Sequence, residues 1–195
     1  TGNLSGSYPS ATYRITGDLT ITVGETAYIQ AGTEFLFDGE YDFNIYGTLK
    51  AIGTETDSII FDNYGDEFDN YGDGRWRGFT LDGASDETEY QYVRISGAEK
   101  VDGGGMYLKS SNPMLTHVTI ANNMADAGGG MYLHGSNPIL THVTISGNTA
   151  INYSGGGMYL HSGKPTLTNS IFWGNLPEEI YFHAEEEFQS ITITY

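Results

Sequence analysis

The sequence predicts an all-β chain wound into a parallel β-helix of about 25 residues per turn, and three observations predict it. The first is a unit written three times: GGGMYLKSSNPMLTHVTIANN from Gly103 to Asn123, GGGMYLHGSNPILTHVTISGN from Gly128 to Asn148, and GGGMYLHSGKPTLTNSIFWGN from Gly155 to Asn175. Met106, Met131 and Met158 stand 25 and 27 residues apart, and Pro113, Pro138 and Pro165 keep the same intervals. A fixed period of this size signals a solenoid whose insertions are confined to loops. The second is residue chemistry. β-Branched and aromatic residues dominate the unit, and Gly, Asn, Pro and Ser punctuate it at short intervals. The third is that no stretch sustains the three-and-four spacing of an amphipathic helix.

Each element of the unit follows in order. In MYL, period-two alternation puts Met131 and Leu133 on one face and Tyr132 on the other. In ILTHVTI, Val143 and Ile145 share a face, but Leu140 lies three residues before Val143 and breaks the phase. A corner at Thr141–His142 restores it, so that Leu140, Val143 and Ile145 all point inward. Asn123, Asn148 and Asn175 then close the unit, and the glycines return the chain to the next one. The two extra residues before the third unit fall in one place, where NTAINYSGGG replaces NMADAGGG. Stacked at about 4.8 Å per turn, seven or eight turns make a rod roughly 35 Å long, with identical residues directly above one another. Parallel connections are overwhelmingly right-handed, and that hand is expected here.

The chain of 195 residues reads as one domain: opening coils with an acidic insertion over 1–102, the repeats over 103–175, and an acidic last coil over 176–195. Residues 1–20 are expected to cap the opening end. Net charge is −17, which excludes a phosphate-backbone partner, and no apolar run is long enough for a membrane helix. Of the 25 acids, 19 lie in residues 1–102 and five after Asn175, leaving the repeats nearly neutral. Cysteine is absent. The opening TGNLSGSYPS has neither a basic start nor an apolar stretch, and a start at Thr1 is expected of a processed, secreted protein.

GGGMYL, and FWGN from Phe172 to Asn175, resemble the paired motifs of secreted right-handed parallel β-helix repeat proteins, of which the polymorphic outer-membrane proteins of chlamydiae carry a GGA-hydrophobic and F-x-x-N version. YRITGDLTITVGETAYIQAGTEFLF, IYGTLKAIGTETDSIIF and RWRGFTL are similar to the opening coils of such proteins. The resemblance implies the fold over nearly the whole chain and says little about activity. In many relatives the pattern runs on past the point where this chain reaches SITITY, so a last turn ending on a bare strand is expected.

Candidate sites are few. FDNYGDEFDNYGDGRW, residues 61–76, duplicates seven residues and gathers Asp62, Asp66, Asp69 and Asp73, with Asn and Gly between them. Such oxygen donors suit calcium, although the spacing matches no standard calcium loop, and a solvated acidic insertion is the plainer reading. Tyr107, Tyr132 and Tyr159 are expected in an outward file with Thr80 in register, as a structural ladder or as a stripe for sugar rings or another protein. His117 and His142 share a corner position with Tyr92 and Asn169, and His134 and His161 form a second pair with Lys109 in register. Two imidazoles alone fall short of a zinc site. Asn123, Asn148 and Asn175 read as a hydrogen-bond ladder.

β-Helix polysaccharide lyases, by resemblance, use calcium-binding Asp with an Arg or Lys base. Arg75, Arg77 and Arg94 are the candidates here, but the repeat positions facing a cleft are Tyr, Thr and Gly, and no cluster of carboxylate and base is expected. The expected function is therefore a non-catalytic extracellular structural or adhesive module, associating end to end with copies of itself. The alternative is a calcium-assisted carbohydrate-binding module for a surface polysaccharide, with a polysaccharide lyase third. No cofactor is required beyond that calcium.

Overall fold

The computed structural model describes residues 2–65, 74–183 and 189–194. Every strand pairing within them is parallel, and each strand pairs with the corresponding strand one coil away. An eight-stranded sheet runs from Gly2–Asn3 through Leu19–Ile21, Phe43–Ile45, Phe79–Asp82, Met106–Lys109, Met131–His134 and Met158–Leu160 to Ile180–Phe182. This is the tyrosine sheet. A 13-stranded sheet forms the opposite wall and bends once per coil, and a short three-stranded sheet of Glu99–Asp102, Met124–Ala127 and Thr149–Ala150 closes the section. The 25-residue interval thus becomes one coil, and Met106, Met131 and Met158 stand in register with Phe79 below and Ile180 above.

The bend is where the sequence places it. His142 has φ of 55°, and Tyr92, His117 and Asn169 at the same position have 48°, 53° and 48°. The left-handed conformation turns the strand by one residue, and Leu140, Val143 and Ile145 are all fully buried in consequence. A second left-handed corner, at Gly97, Asn122, Gly147 and Gly174, turns the chain inward just before buried Ala98, Asn123, Asn148 and Asn175.

The glycine triplets have two causes. Gly128 needs a positive φ of 66°. Gly129 needs space, because a Cβ there would lie 2.6 Å from the Thr149 carbonyl oxygen and 2.7 Å from that of Gly156. Successive coils approach too closely at this corner for any side chain.

One core fills the helix and changes character along it. Met, Leu, Val and Ile occupy the repeats, while aromatic rings fill the first half: Phe35, Phe37, Phe43, Phe61, Trp76, Phe79 and Tyr90 are fully or almost fully buried. Trp76 stacks on Phe37 at 4.4 Å, and its indole N–H donates to the Ser96 carbonyl at 2.8 Å. The opening residues form the first coil itself rather than a separate cap: Leu4 and Ile15 are buried, and Tyr13 stacks on Phe35 at 5.2 Å.

Candidate functional site: a tyrosine groove centred on Asp102

Alternation in each MYL strand sends Met and Leu inward and Tyr outward, and the parallel register aligns the tyrosines. Ring centroids are 5.4 Å apart for Tyr107 and Tyr132, 4.8 Å for Tyr132 and Tyr159, and 5.1 Å for Tyr159 and Tyr181. The Tyr132 and Tyr159 planes lie within 4° of parallel. The rings therefore cover one another's faces, and the column offers edges and hydroxyls rather than a flat platform for sugar rings. Thr80 continues the file below Tyr107.

A second column runs beside it. His161 lies 4.6 Å from His134 in a tilted pair and stacks on His183 at 4.8 Å, with Lys109 in register below His134. Tyr181 and His183 extend both columns by one coil. The signal for them was present in IYFH, which repeats the apolar-Tyr-apolar-His order of MYLH, but Ile180 follows Met158 by only 22 residues, off the period. At the bend of the opposite wall, His117 stacks between Tyr92 and His142 at 4.6 and 4.7 Å, and Asn169 meets His142 Nε2 at 3.3 Å. Among the described residues no group of three or more His, Cys, Asp or Glu converges as metal ligands would.

The outer side of the short sheet makes a wall beside the tyrosines. One cavity of about 470 Å³ is lined by Asp42, Arg77, Thr80, Lys100, Asp102 and Tyr107. A second, of about 300 Å³, is lined by Asp102, Ala127, Tyr132, Tyr153 and Tyr159. Both share Val101 and Asp102, so together they form one groove along the rod. The expectation that carboxylate and base stay apart is corrected here. The strand after Arg94 turns a corner and carries Lys100 and Asp102 to the tyrosine side, where they meet Asp42 and Arg77 from earlier coils. Residues 42 and 102 lie far apart in sequence and outside the GGGMYL units, so no period announces their meeting.

The charges in the groove differ in how they are held. Lys100 donates to Asp42 at 3.1 Å and also to the Thr80 hydroxyl, and Arg77 pairs with Glu40. The Asp102 carboxylate makes no hydrogen bond or ion pair among the described residues, while its backbone pairs with Ala127 in the short sheet. Burial, and then the charge of Asp126, raise its pKa above the ordinary carboxylate value, against the pull of His161 and Lys100. Burial likewise raises Tyr107, Tyr132 and Tyr159 above an ordinary phenol, most strongly Tyr132, and the field of Asp102 adds to each. The hydroxyls remain protonated donors at neutral pH, and Asp102 lines the same two cavities as the three rings.

The other candidates lie elsewhere. Asn123, Asn148 and Asn175 are buried in a column: each of the first two donates through Nδ2 to the Oδ1 of the next, at 3.0 and 2.9 Å. Asp62 accepts hydrogen bonds from the Ser96 hydroxyl at 2.7 Å and the Asn63 backbone at 2.8 Å, which commits its oxygens to the fold. Asp66, Asp69 and Asp73 lie outside the described residues. Arg75 is buried, and Arg94 is exposed on the wall opposite the groove.

Coils, register and buried ladder define a right-handed parallel β-helix protein. Residues 77–195, more than half of the chain, match the family described as right handed beta helix region, and the chain belongs to that family. The structure carries the same coil back from residue 77 to Gly2. No curated protein and no solved structure matches the chain.

Proposed function

We propose that this chain is a non-catalytic, extracellular carbohydrate-binding β-helix module, with a glycan lying along the tyrosine groove. The observation that carries the reading is the continuity of the two cavities through Asp102, with Thr80 and the tyrosines of the tyrosine sheet on one side and Lys100 of the short sheet on the other. A polyhydroxylated chain satisfies such donors and acceptors along its length, and the concave, partly apolar lining suits the ring faces between them. Lys100 and Arg77 are each engaged with a carboxylate, which favours binding over the proton abstraction a lyase requires. The net charge of −17 disfavours an anionic polymer. The closer kinship with chlamydial outer-membrane repeats that GGGMYL and FWGN suggest belongs to this proposal too.

Calorimetric titration with neutral and basic oligosaccharides tests the reading. Binding is expected to weaken at least tenfold in Tyr107→Ala and Asp102→Ala, and to be unchanged in Arg94→Ala on the opposite wall. Affinity indifferent to the groove substitutions would overturn it.

A second reading, a structural rod that stacks end to end, draws on the last coils. Ile171, Trp173 and Ile193 are 57%, 74% and 61% exposed, beside an apolar cavity of about 390 Å³ lined by Leu167, Phe172 and Ile180. Uncovered strand edges with apolar neighbours favour further pairing. Sedimentation that stays monomeric over a wide concentration range would remove it.

A further inference from the structure

The part of the groove beyond Asp102 has a composition that a neutral sugar does not call for. Its cavity of about 300 Å³ is lined by three tyrosines (Tyr132, Tyr153 and Tyr159), by Val101 and Ala127, and by the carboxylate of Asp102. Tyr153 comes from the connection between the second and third units, which is two residues longer than that between the first and second. The insertion is pinned to the coil beneath: Asn152 Nδ2 donates to the Asp126 carboxylate at 2.7 Å, and the Tyr153 N–H donates to the Asp126 carbonyl at 2.9 Å. The longer turn therefore does two things at one spot. It holds Asp126 in place near Asp102, and it hangs an exposed aromatic ring beside the Tyr132–Tyr159 stack.

We propose that this is a subsite for a primary ammonium group, which makes the module selective for glycans bearing free amines. The proposal rests on the carbohydrate reading of the groove. A half-buried carboxylate without a hydrogen-bond partner among the described residues, beside a second carboxylate, is unfavourable on its own and is satisfied by a cation. Tyrosine oxygens and the open face of a ring attract the same cation. An ammonium group supplies three N–H donors for Asp102 and the phenol oxygens, whereas an N-acetyl group at the same place is neutral and bulkier. Neither nearby lysine fills this role, since Lys100 is drawn to Asp42 and Thr80, and Lys109 pairs with Asp82 at 3.0 Å. The surrounding field is strongly negative, which adds long-range attraction for a cationic glycan.

The test compares β-1,4-linked glucosamine and N-acetylglucosamine oligomers of equal length, with ethylammonium as a probe that carries no sugar. The glucosamine oligomer is expected to bind at least tenfold more tightly than the acetylated one. Asp102→Asn should bring the two oligomers to equal affinity, and Tyr153→Ala should reduce the preference about threefold. Equal affinity for both oligomers would overturn the ammonium subsite and leave the groove standing. Ethylammonium binding that is lost in Asp102→Asn, with neither oligomer bound, would uphold the subsite and sink the carbohydrate reading. Failure of all three probes would overturn both. Circular dichroism of each variant, compared with the parent chain, separates loss of binding from loss of fold.

Discussion

Asn148→Ala is the sharpest probe of how the coils hold together. Asn148 is fully buried, and its side chain makes four hydrogen bonds. Oδ1 accepts from the Asn123 backbone N–H and from Asn123 Nδ2, both at 3.0 Å, while Nδ2 donates to the Ile120 carbonyl and to Asn175 Oδ1, both at 2.9 Å. Two partners keep a second bond after truncation: Asn123 Nδ2 still reaches the Ile95 carbonyl at 3.2 Å, and Asn175 Oδ1 still accepts the Asn148 N–H at 3.0 Å. The Asn123 N–H and the Ile120 carbonyl lose the ladder's support in a dry interior. At about 1–3 kcal/mol for each unsatisfied group, the variant should lose about 4 kcal/mol of stability. The control is Asn137→Ala. Asn137 Oδ1 accepts the Lys164 N–H at 2.8 Å and its Nδ2 meets Asn112 Oδ1 at 3.3 Å, but it is exposed, so water replaces the lost partners. Its cost should stay below about 1 kcal/mol. Urea unfolding with an unchanged denaturant slope measures both. A loss below about 1 kcal/mol for Asn148→Ala, or equal losses for the two variants, would refute the view that the inner ladder carries the load.

Other substitutions read out separate parts of the account. Gly129→Ala should cost about 3 kcal/mol or more in the same assay, because its Cβ meets backbone oxygens that cannot retreat, whereas Gly135→Ala, at φ of 61° with nothing nearer its Cβ than the Ser110 hydroxyl at 3.8 Å, should cost about 1 kcal/mol. Tyr90→Phe should stabilise the chain by about 1 kcal/mol, since the Tyr90 hydroxyl is buried without a hydrogen-bond partner among the described residues; destabilisation would mean that the hydroxyl is satisfied in solution. Asp102 has a folded pKa above its unfolded value, so the folded state binds its proton more tightly and loses relative stability as pH rises from the unfolded pKa through the folded one. Asp102→Asn should therefore melt higher than the parent at neutral pH, with the difference vanishing in acid; a lower melting temperature at neutral pH would contradict this. Tyr132 is raised as well, so phenolate absorbance should develop later in the folded protein than in urea, and stability should fall once pH passes the ordinary phenol range. Coincident titration curves would contradict the packed column.

Much of the fold was legible because a solenoid writes its geometry into the period. Met131 over Met106, the corner at His142 and the inward Leu140 all follow from spacing and alternation alone. The tyrosine column followed as well, but not its consequence. Alternation says that Tyr132 points outward, and only the ring planes show that it and Tyr159 hide each other's faces. The groove was far less legible. Asp42, Arg77 and Asp102 come from coils that share no repeated motif, and what joins them is the turn between Ser96 and Glu99, which swings Lys100 and Asp102 around to the tyrosine side. The two-residue insertion was visible as an irregularity, yet its purpose needs the third dimension: the longer turn places Tyr153 over the groove.

The most direct test of the functional account is residue-resolved NMR of the isotopically labelled chain during titration with the glucosamine oligomer. The groove predicts chemical-shift changes clustered at Thr80, Lys100, Asp102, Tyr107, Tyr132, Tyr153 and Tyr159, with the opposite wall around His117 and Thr141 silent. Changes centred on that opposite wall, or none at any oligomer concentration, would contradict it.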